Sequence, residues 1–270
     1  MINSYHTHVA YCKHAVGSVE DYVKKAIELG MEEIAITDHV PVPDCFYDDE
    51  AFKAINRISK MNYNQINDYL SDLDAVKMKY KDKIKIYTGF ECEYYEKLIP
   101  VLNELKDKVD FFNFGLHHFY YEDKLYNSFS SQSMDKDGII AYGKLACEAL
   151  DSKIFKCFVH PDLFLSRYID SPFDSLCEEI TRNICKSAIR NNVYLEFNCN
   201  KLRNYIEKGI PYWYPNESFW KIVAEYKEIK VLIGSDAHNP EFLYDEAVQY
   251  GYNMAKKLNL NIVDKIDIIG

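Results

Sequence analysis

The chain has 270 residues, of which 48% are hydrophobic and 27% are charged, as in an ordinary globular protein. Its formal net charge of −10 argues against nucleic acid or an anionic membrane surface as a partner. It does not exclude a small phosphorylated substrate, which needs only local positive charge. The length is sufficient for one large core, and we predict a single domain over residues 1–270.

The eight cysteines are scattered along the chain, and no two of them are spaced as C-x2-C. This spacing argues against a structural zinc ribbon. The first residues lack the pattern of a signal peptide, and no apolar stretch has the roughly 18 residues of a membrane span. Free thiols in a reducing cytoplasm are therefore the simpler interpretation.

Hydrophobic periodicity divides the chain into strands and helices that alternate. An N-terminal strand around 5–8 and six later runs have the pattern of strands, at 33–37, 84–91, 111–116, 155–159, 193–198 and 230–234. Helical spacing is found at about 19–29, 62–82, 96–107, 137–151, 173–191, 216–227 and 240–257. Three longer segments are predicted to be loops, at 40–60, 120–136 and 199–215.

Seven strands that alternate with helices predict an α/β fold with a parallel sheet, closed or nearly closed as a barrel. A doubly wound open sheet is the alternative, but it usually carries a glycine-rich phosphate loop after its first strand, and none is present. In α/β barrels the functional site is built at the C-terminal ends of the strands. All three predicted loops follow strands, so they lie on that face.

All eight histidines lie at or just beyond predicted strand ends, and none lies in a predicted helix. His6 and His8 are two residues apart on a strand, so they project to the same side. Imidazole and carboxylate together suit zinc, iron or manganese, and their number exceeds what one ion needs. The sequence therefore predicts a metal centre. Five carboxylates lie at similar positions: Asp38, Glu91, Glu93, Asp162 and Asp236.

Some of these residues have alternative interpretations. His117 and His118 are neighbours and point in opposite directions, so only one is expected to face the barrel mouth. Asp38 is suited to orienting His39, as a ligating imidazole usually requires. Glu93 is either solvated or in contact with substrate.

Six motifs, in this order along the chain, resemble those of the polymerase-and-histidinol-phosphatase (PHP) superfamily. They are His6-Thr7-His8, Thr37-Asp38-His39, Gly89-Phe90-Glu91, Gly115-Leu116-His117-His118-Phe119, His160-Pro161-Asp162 and Ser235-Asp236-Ala237-His238. The run 12–15 and the segment from Glu196 to Arg203 are similar to the monofunctional histidinol-phosphatase branch. The resemblance extends over roughly 5–240.

The resemblance implies a distorted, TIM-like (β/α)7 barrel that holds three divalent metal ions (Zn, Fe or Mn). The first ion would be held by His6, His8, Glu91 and Asp236, the second by His14, His39 and His238, and the third by Glu91, His118 and His160. His118 is assigned in place of His117 because the family pattern has its histidine directly before Phe119. In sites of this kind a carboxylate such as Glu91 bridges two ions.

The resemblance also implies the phosphate contacts. Arg167 and Arg203 match positions that would bind the phosphate. The pair Asn200-Lys201 departs from the Ser-Gly that the branch usually has before Leu-Arg. If the substrate is L-histidinol phosphate, its amine and imidazole ring should meet acidic and aromatic groups on the same face. From their positions on the loops after the second and third strands, we expect these groups to be Asp44, Phe46, Tyr47 and Glu93.

The predicted reaction is hydrolysis of a phosphomonoester, most specifically L-histidinol phosphate. Clustered cations acidify a bridging water to hydroxide and neutralise phosphate oxygens, and Asp162 is a candidate proton donor for the leaving alkoxide. Alternatives are a PHP phosphoesterase for nucleotides or phosphotyrosine, a metal-dependent amidohydrolase, and a non-catalytic binding module. The sequence leaves open whether the chain forms a homo-oligomer.

Overall fold

The computed structural model describes residues 3–43, 50–130, 134–168 and 173–268. At its centre six parallel strands form one sheet. In the order in which they pair, these are β1 (Glu33–Ile36), β2 (Lys85–Cys92), β3 (Phe111–Phe114), β6 (Cys157–Phe158), β7 (Tyr194–Asn198) and β8 (Val231–Gly234). A separate antiparallel hairpin consists of β4 (His118–Tyr121) and β5 (Lys124–Asn127).

The N-terminal segment 4–8 lies between the two edges of the six-stranded sheet. Ser4 pairs with β1, and Thr7 pairs with Ala237 just beyond β8. The His8 N–H donates to the Ala237 carbonyl at 2.9 Å. The predicted first strand is therefore a set of isolated bridges that joins the two edges. The sheet is curled as the TIM-like barrel prediction requires, and the fold class is confirmed.

Helices connect the strands, and side-chain caps fix where several of them begin. Ser18 accepts from the Asp21 N–H in a capping box, and Asp135, Asp174 and Asp245 each accept from a first-turn N–H. The helices of the described segments are α1 (Val19–Glu28), α2 (Glu50–Ser59), α3 (Ile66–Tyr80), α4 (Ile99–Leu105), α5 (Lys136–Asp151), α6 (Ser175–Asn191), α7 (Asn200–Lys208), α8 (Glu217–Val223) and α9 (Glu246–Lys257). None of them is long and apolar enough to cross a membrane.

The three predicted loops contain regular structure. α2 lies in the first, the β4–β5 hairpin in the second and α7 in the third. The hairpin turns at Glu122 and Asp123, which have φ values of 47° and 61° without a glycine. Gly209 caps the C-terminus of α7. This helix was not predicted because it is short and polar and is followed closely by Pro211 and Pro215. These three loop predictions were wrong.

The apolar residues inside the barrel fill its N-terminal half. A compact cluster takes one side chain from each of several adjacent strands, together with Ile266 near the C-terminus of the chain. The larger cluster lies between the outer face of the sheet and the helices. Because this cluster fills the N-terminal half of the barrel, polar side chains inside the barrel are confined to the C-terminal ends of the strands. The inner cluster consists of Tyr5, Ala35, Tyr87, Phe111, Cys157, Val159, Tyr194, Leu232 and Ile266.

Candidate metal centre

The inward face of the barrel changes from apolar to polar along each strand. On β2 the alternation places Tyr87, Gly89 and Glu91 on the same face. Tyr87 belongs to the inner apolar cluster, whereas the Glu91 side chain is 2% exposed and lies among imidazoles. β7 repeats this pattern, with Tyr194 in the inner apolar cluster and Glu196 two residues closer to the C-terminal end of the strand. Strand alternation thus delivers buried carboxylates to the barrel mouth.

Two glycines make room for these carboxylates. Gly115 follows β3, and a β-carbon at this position would overlap Glu91 Oε1. Gly234 ends β8, and a β-carbon there would overlap Glu196 Oε1. The absence of a side chain at both positions is therefore a condition for the observed placement of Glu91 and Glu196.

The first group of candidate ligands surrounds one oxygen of Glu91. His6 Nε2 and His8 Nε2 lie 3.0 Å apart, and each is 3.4 Å from Glu91 Oε2. Asp236 Oδ1 lies 3.7 Å from His6 Nε2 and 3.3 Å from His8 Nε2. The structure thus brings together the four residues that were assigned to the first ion.

A second group lies toward the mouth of the barrel. His14 Nε2 and His238 Nε2 are 2.9 Å apart, and the rings of His14 and His39 are stacked with centroids 5.4 Å apart. His39 Nδ1 lies 3.0 Å from Glu91 Oε2. His8, His39 and His238 also offer ligand atoms within 4.8 Å of one another, so His8 borders both groups.

The third group contains His117 rather than His118. His117 Nε2 lies 3.3 Å from Glu91 Oε1 and 3.2 Å from His160 Nε2, and His160 Nε2 is 2.8 Å from Glu91 Oε1. His118 begins β4, and its ring packs near that of Phe129 with centroids 6.4 Å apart. The geometry therefore does not support the assignment of His118. The chain bends between β3 and β4, so strand alternation does not decide between the two histidines.

Carboxylates lie beside the far nitrogens of three candidate ligands and are hydrogen-bonded to those of His6 and His117. Such a bond fixes the tautomer and the orientation of a metal-binding imidazole. The sequence did not single out Glu196 for this role, although it lies at a strand end like the other acids. The pairs are His6 Nδ1 with Glu196 Oε1 at 2.8 Å, His8 Nδ1 with Asp38 Oδ1 at 3.5 Å, and His117 Nδ1 with Glu93 Oε1 at 3.4 Å.

Asp38 interacts with both neighbouring ligands. Its Oδ1 accepts a hydrogen bond from the backbone N–H of His39 at 2.8 Å and lies 3.5 Å from His8 Nδ1. The carboxylate therefore holds the backbone of His39 and lies beside the imidazole of His8, whose Nδ1 makes no hydrogen bond to a described residue. This differs from the predicted role, in which Asp38 orients the His39 side chain.

Two candidate ligands lie on backbone that is unusual for a residue with a side chain. His160 has a φ of 36° and Asp236 a φ of 45°, both in the left-handed region. Such conformations cost about 1–3 kcal/mol each and persist where the surrounding structure enforces them, often at functional sites. In both cases the chain turns sharply at the end of a strand and directs the side chain into the barrel mouth.

The donor set fits divalent metal ions. Three pairs of imidazole nitrogens face each other, and neutral imidazole offers one lone pair for a cation. Carboxylate oxygens of Glu91 or Asp236 face two of these pairs. Convergence of imidazole and carboxylate donors of this kind suits zinc, iron and manganese. The separations of the three nitrogen pairs are 3.0 Å, 2.9 Å and 3.2 Å.

The electrostatics favour an ionised Glu91. Burial alone would raise the pKa of this carboxyl, but His117, His39 and His6 hold it well below its usual range. Burial lowers the pKa of His238 to about 3, so this imidazole is neutral at neutral pH. Against the effect of burial, the neighbouring carboxylates raise the pKa values of His6, His8 and His117. Because anionic carboxylate and neutral imidazole are the forms that bind metal, these three imidazoles would release a proton when an ion binds.

A cavity of about 500 Å³ opens directly onto these groups. Its walls carry the candidate ligands from all three groups, together with cationic, acidic and aromatic side chains from the surrounding helices and loops. This volume is in the range of small-molecule sites. Outside the ligand groups, the lining includes Lys60, Phe129, Lys201, Arg203, Glu207, Tyr214 and Phe242.

Arg203 lines this cavity, but most of its donors are engaged. Its Nε donates to Asp245 at 2.5 Å, and its Nη2 donates to the carbonyls of Ser235 and Phe242, both at 2.9 Å. Among the described residues, no hydrogen bond of Nη1 accompanies these three. Because Asp245 caps α9 and Ser235 follows β8, the guanidinium also ties α7 to both elements. Three of the five N–H groups of Arg203 are therefore engaged within the fold.

Arg167 is placed differently from the prediction. Its guanidinium lies over the ring of Trp213, 4.4 Å from the centroid. The described residues that line the cavity include Arg203 but not Arg167. The geometry therefore does not support a phosphate contact from Arg167.

Asp162 and Glu93 also have partners that the sequence did not suggest. Asp162 Oδ2 accepts from the Asn216 N–H at 2.6 Å and from the Trp220 indole N–H at 2.9 Å. It is fully buried and lies outside the described lining of the cavity, which does not support a role as proton donor. Glu93 forms an ion pair with Lys60 at 2.6 Å, so it is not available for a substrate amine. The predicted contacts Asp44, Phe46 and Tyr47 lie outside the described residues.

Comparisons with known proteins agree with this fold. A histidinol-phosphatase of Bacillus subtilis (strain 168) is 25% identical over 266 residues, which covers 86% of this chain and 92% of that protein. The structure of hisK from Listeria monocytogenes matches with a TM-score of 0.76 and 22% identity, covering 92% of this chain and 99% of that one.

A second solved structure is histidinol phosphate phosphatase from Lactococcus lactis subsp. lactis Il1403, which was complexed with Zn, L-histidinol and phosphate. It matches with a TM-score of 0.70 and 18% identity, covering 98% of each chain. The family model described as PHP domain matches residues 4–200. The predicted resemblance is confirmed: this chain belongs to the PHP family.

Proposed function

We propose that the protein is a metal-dependent phosphomonoesterase that hydrolyses L-histidinol phosphate to L-histidinol and phosphate. The observation that carries this proposal is the convergence of seven imidazoles on Glu91 and Asp236 beside a cavity of small-molecule size. The B. subtilis relative is named histidinol-phosphatase, which supports the choice of substrate within the family.

We assign the centre to three divalent ions, with zinc, iron and manganese as the suitable metals. When bound, such clustered ions activate water and neutralise charge on phosphate oxygens. Three ligand groups would hold them, with His117 in place of His118. They are His6, His8, Glu91 and Asp236 for the first ion, His14, His39 and His238 for the second, and Glu91, His117 and His160 for the third.

The residues around the ions have separate roles. Glu196, Asp38 and Glu93 orient the ligating imidazoles. Arg203 contributes the N–H groups of Nη1 to a phosphate oxygen at the cavity wall. Charge-assisted hydrogen bonds from guanidinium to phosphate are among the strong ones. These residues bind and orient, and they need not exchange protons with the substrate.

Glu207 is our candidate for the substrate amine. Among the described residues that line the cavity, it is the carboxylate that lies outside both the ligand groups and the Lys60–Glu93 ion pair. It projects from α7 at the exposed rim. Phe129 and Tyr214 provide aromatic walls for an imidazole ring.

A phosphate-release assay on a panel of substrates tests the proposal. We expect kcat/KM for L-histidinol phosphate to exceed that for p-nitrophenyl phosphate or a nucleotide monophosphate by at least about a hundredfold, the scale of a lost charged contact. Glu207→Gln should reduce this preference and leave p-nitrophenyl phosphate turnover nearly unchanged. Equal or better turnover of a nucleotide or phosphotyrosine would contradict the histidinol assignment.

A further inference from the structure

Lys60 is a buried lysine in the wall of the metal-site cavity. It follows α2 directly and is 5% exposed. Its Nζ donates to Glu93 Oε2 at 2.6 Å. Glu93 is itself 3% exposed, and its other oxygen, Oε1, lies 3.4 Å from His117 Nδ1. The ammonium group is therefore connected to the third ligand group through a single carboxylate.

A buried ion pair is not an efficient way to stabilise a fold. Removing two charges from water costs several kcal/mol per ion, and well-packed apolar residues often serve stability equally well. A role in orienting His117 explains Glu93, but it does not require a cation behind the carboxylate, since a backbone or side-chain donor would suffice. The presence of Lys60 in a cavity wall thus calls for a contribution from the ammonium itself.

For the proposed phosphate substrate, a cation that is fixed in place is a better partner than a mobile one, because less freedom is lost on binding. Among its described lining residues the cations are Lys60, Lys201 and Arg203. Arg203 has three N–H groups engaged by Asp245 and two carbonyls, and Lys201 is only half-buried on α7. An ammonium group has three donors, and Glu93 occupies one of them. Lys60 therefore combines a fixed position with donors that remain for a ligand.

We propose that Lys60 is a further phosphate-binding residue, which donates a hydrogen bond from its ammonium to an oxygen of the substrate phosphoryl group while Glu93 holds it in position. This inference rests on the proposed phosphomonoesterase function. It replaces Arg167, whose guanidinium lies over Trp213, as the second cation that contacts phosphate.

The test compares two variants in which the Glu93 carboxylate is replaced by an amide, so that effects transmitted through His117 are shared while the amide oxygen can still accept from Lys60 Nζ. They are Glu93→Gln and the double variant Lys60→Met/Glu93→Gln, both loaded with metal and analysed for metal content. Inorganic phosphate is the probe, measured by equilibrium binding and as a competitive inhibitor. We expect the double variant to bind phosphate at least about tenfold more weakly than Glu93→Gln, the scale of a lost hydrogen bond to a charged group. Metal content should be equal in the two.

Lys201→Met in the otherwise unchanged chain is the matched control, and it should weaken phosphate binding less than about threefold. Equal phosphate affinity in the two Glu93 variants would overturn the proposal, as would loss of metal in the double variant alone. Lys60→Arg, which keeps a positive charge, should retain part of the phosphate affinity that the wild-type protein shows. Turnover of L-histidinol phosphate by the wild-type protein is measured separately: its absence, with phosphate binding intact, contradicts the proposed function and not the role of Lys60.

Discussion

Gly115 has no side chain at the point where Glu91 places its carboxylate, and a β-carbon at position 115 would overlap Glu91 Oε1. Glu91 in turn lies within 3.0 Å of His39 Nδ1 and 2.8 Å of His160 Nε2. The whole centre therefore depends on a backbone position that follows β3. This gives the Gly-Leu-His-His motif a physical meaning beyond its histidines.

Gly115→Ala should displace Glu91 and lower the affinity for metal by at least about tenfold, within the range for disturbed metal-site surroundings. The measurement is elemental analysis after dialysis, together with phosphate release. Gly209→Ala is the matched control, because its β-carbon would meet nothing within 4 Å while its φ of 67° imposes strain. The control should lose about 1 kcal/mol of stability and keep its metal. Full metal binding in Gly115→Ala would contradict this account of Glu91.

His117 and His118 can be separated by substitution. His117→Ala should lose about one ion per chain, because His117 Nε2 faces Glu91 and His160. His118→Ala should keep its metal, since the position beside Glu91 and His160 is taken by His117 and not by its neighbour. Elemental analysis of both variants decides the matter, and loss of metal from His118→Ala with retention in His117→Ala would restore the original assignment.

Arg203→Ala should affect stability as well as substrate binding. The guanidinium joins α7 to the cap of α9 and to the turn after β8 through Asp245 and Ser235. Loss of these largely buried bonds should lower the free energy of unfolding by about 2–4 kcal/mol and raise KM. Arg203→Lys should recover little, since lysine cannot reproduce the planar set of donors. Thermal unfolding and kinetics measure the two effects, and a wild-type melting temperature in Arg203→Ala would exclude the structural role.

Asp162→Asn tests whether this residue donates a proton. Its carboxylate is held by the Asn216 N–H and the Trp220 indole, and an asparagine oxygen can accept from both. We therefore expect kcat for L-histidinol phosphate within about threefold of wild type, well short of the 10²–10⁴-fold contribution typical of a general acid. A loss of a hundredfold or more, with metal content unchanged, would reinstate the catalytic role.

The same variant should change how stability depends on pH. Burial raises the pKa of Asp162 to about 7, compared with roughly 3.9 in an unfolded chain. The folded state therefore binds this proton more tightly, and the stability that it contributes below about pH 4 is lost as the pH rises through about 7. Unfolding free energies of Asp162→Asn relative to wild type should increase between about pH 4 and pH 8. A constant difference over this interval would show that Asp162 does not titrate there.

Much of the fold followed from local patterns, whereas several details of the site did not. Hydrophobic periodicity located each strand of the parallel sheet to within a few residues, because burial on two faces leaves a strong signal. α7 was missed because it is short and polar. The choice between His117 and His118 depended on how the chain bends after Gly115, and strand alternation does not extend through a bend.

Partnerships over long sequence separations were equally hidden. His6 and Glu196 are 190 residues apart, yet they meet at 2.8 Å. Lys60 precedes α3 in the chain and Glu93 follows it, 33 residues later, so no local spacing suggested their ion pair. In both cases the tertiary fold brings the two partners together. The sequence pattern indicates only that polar residues follow the strands and does not indicate which of them pair.

The proposed function requires that activity depend on divalent metal at the proposed stoichiometry. The most direct measurement is phosphate release from L-histidinol phosphate while a divalent metal is added back to chelated protein. We expect no turnover without metal and full activity between two and three equivalents per chain, since the described ligands form three groups. Full activity in metal-free protein, or saturation at one equivalent, would contradict it.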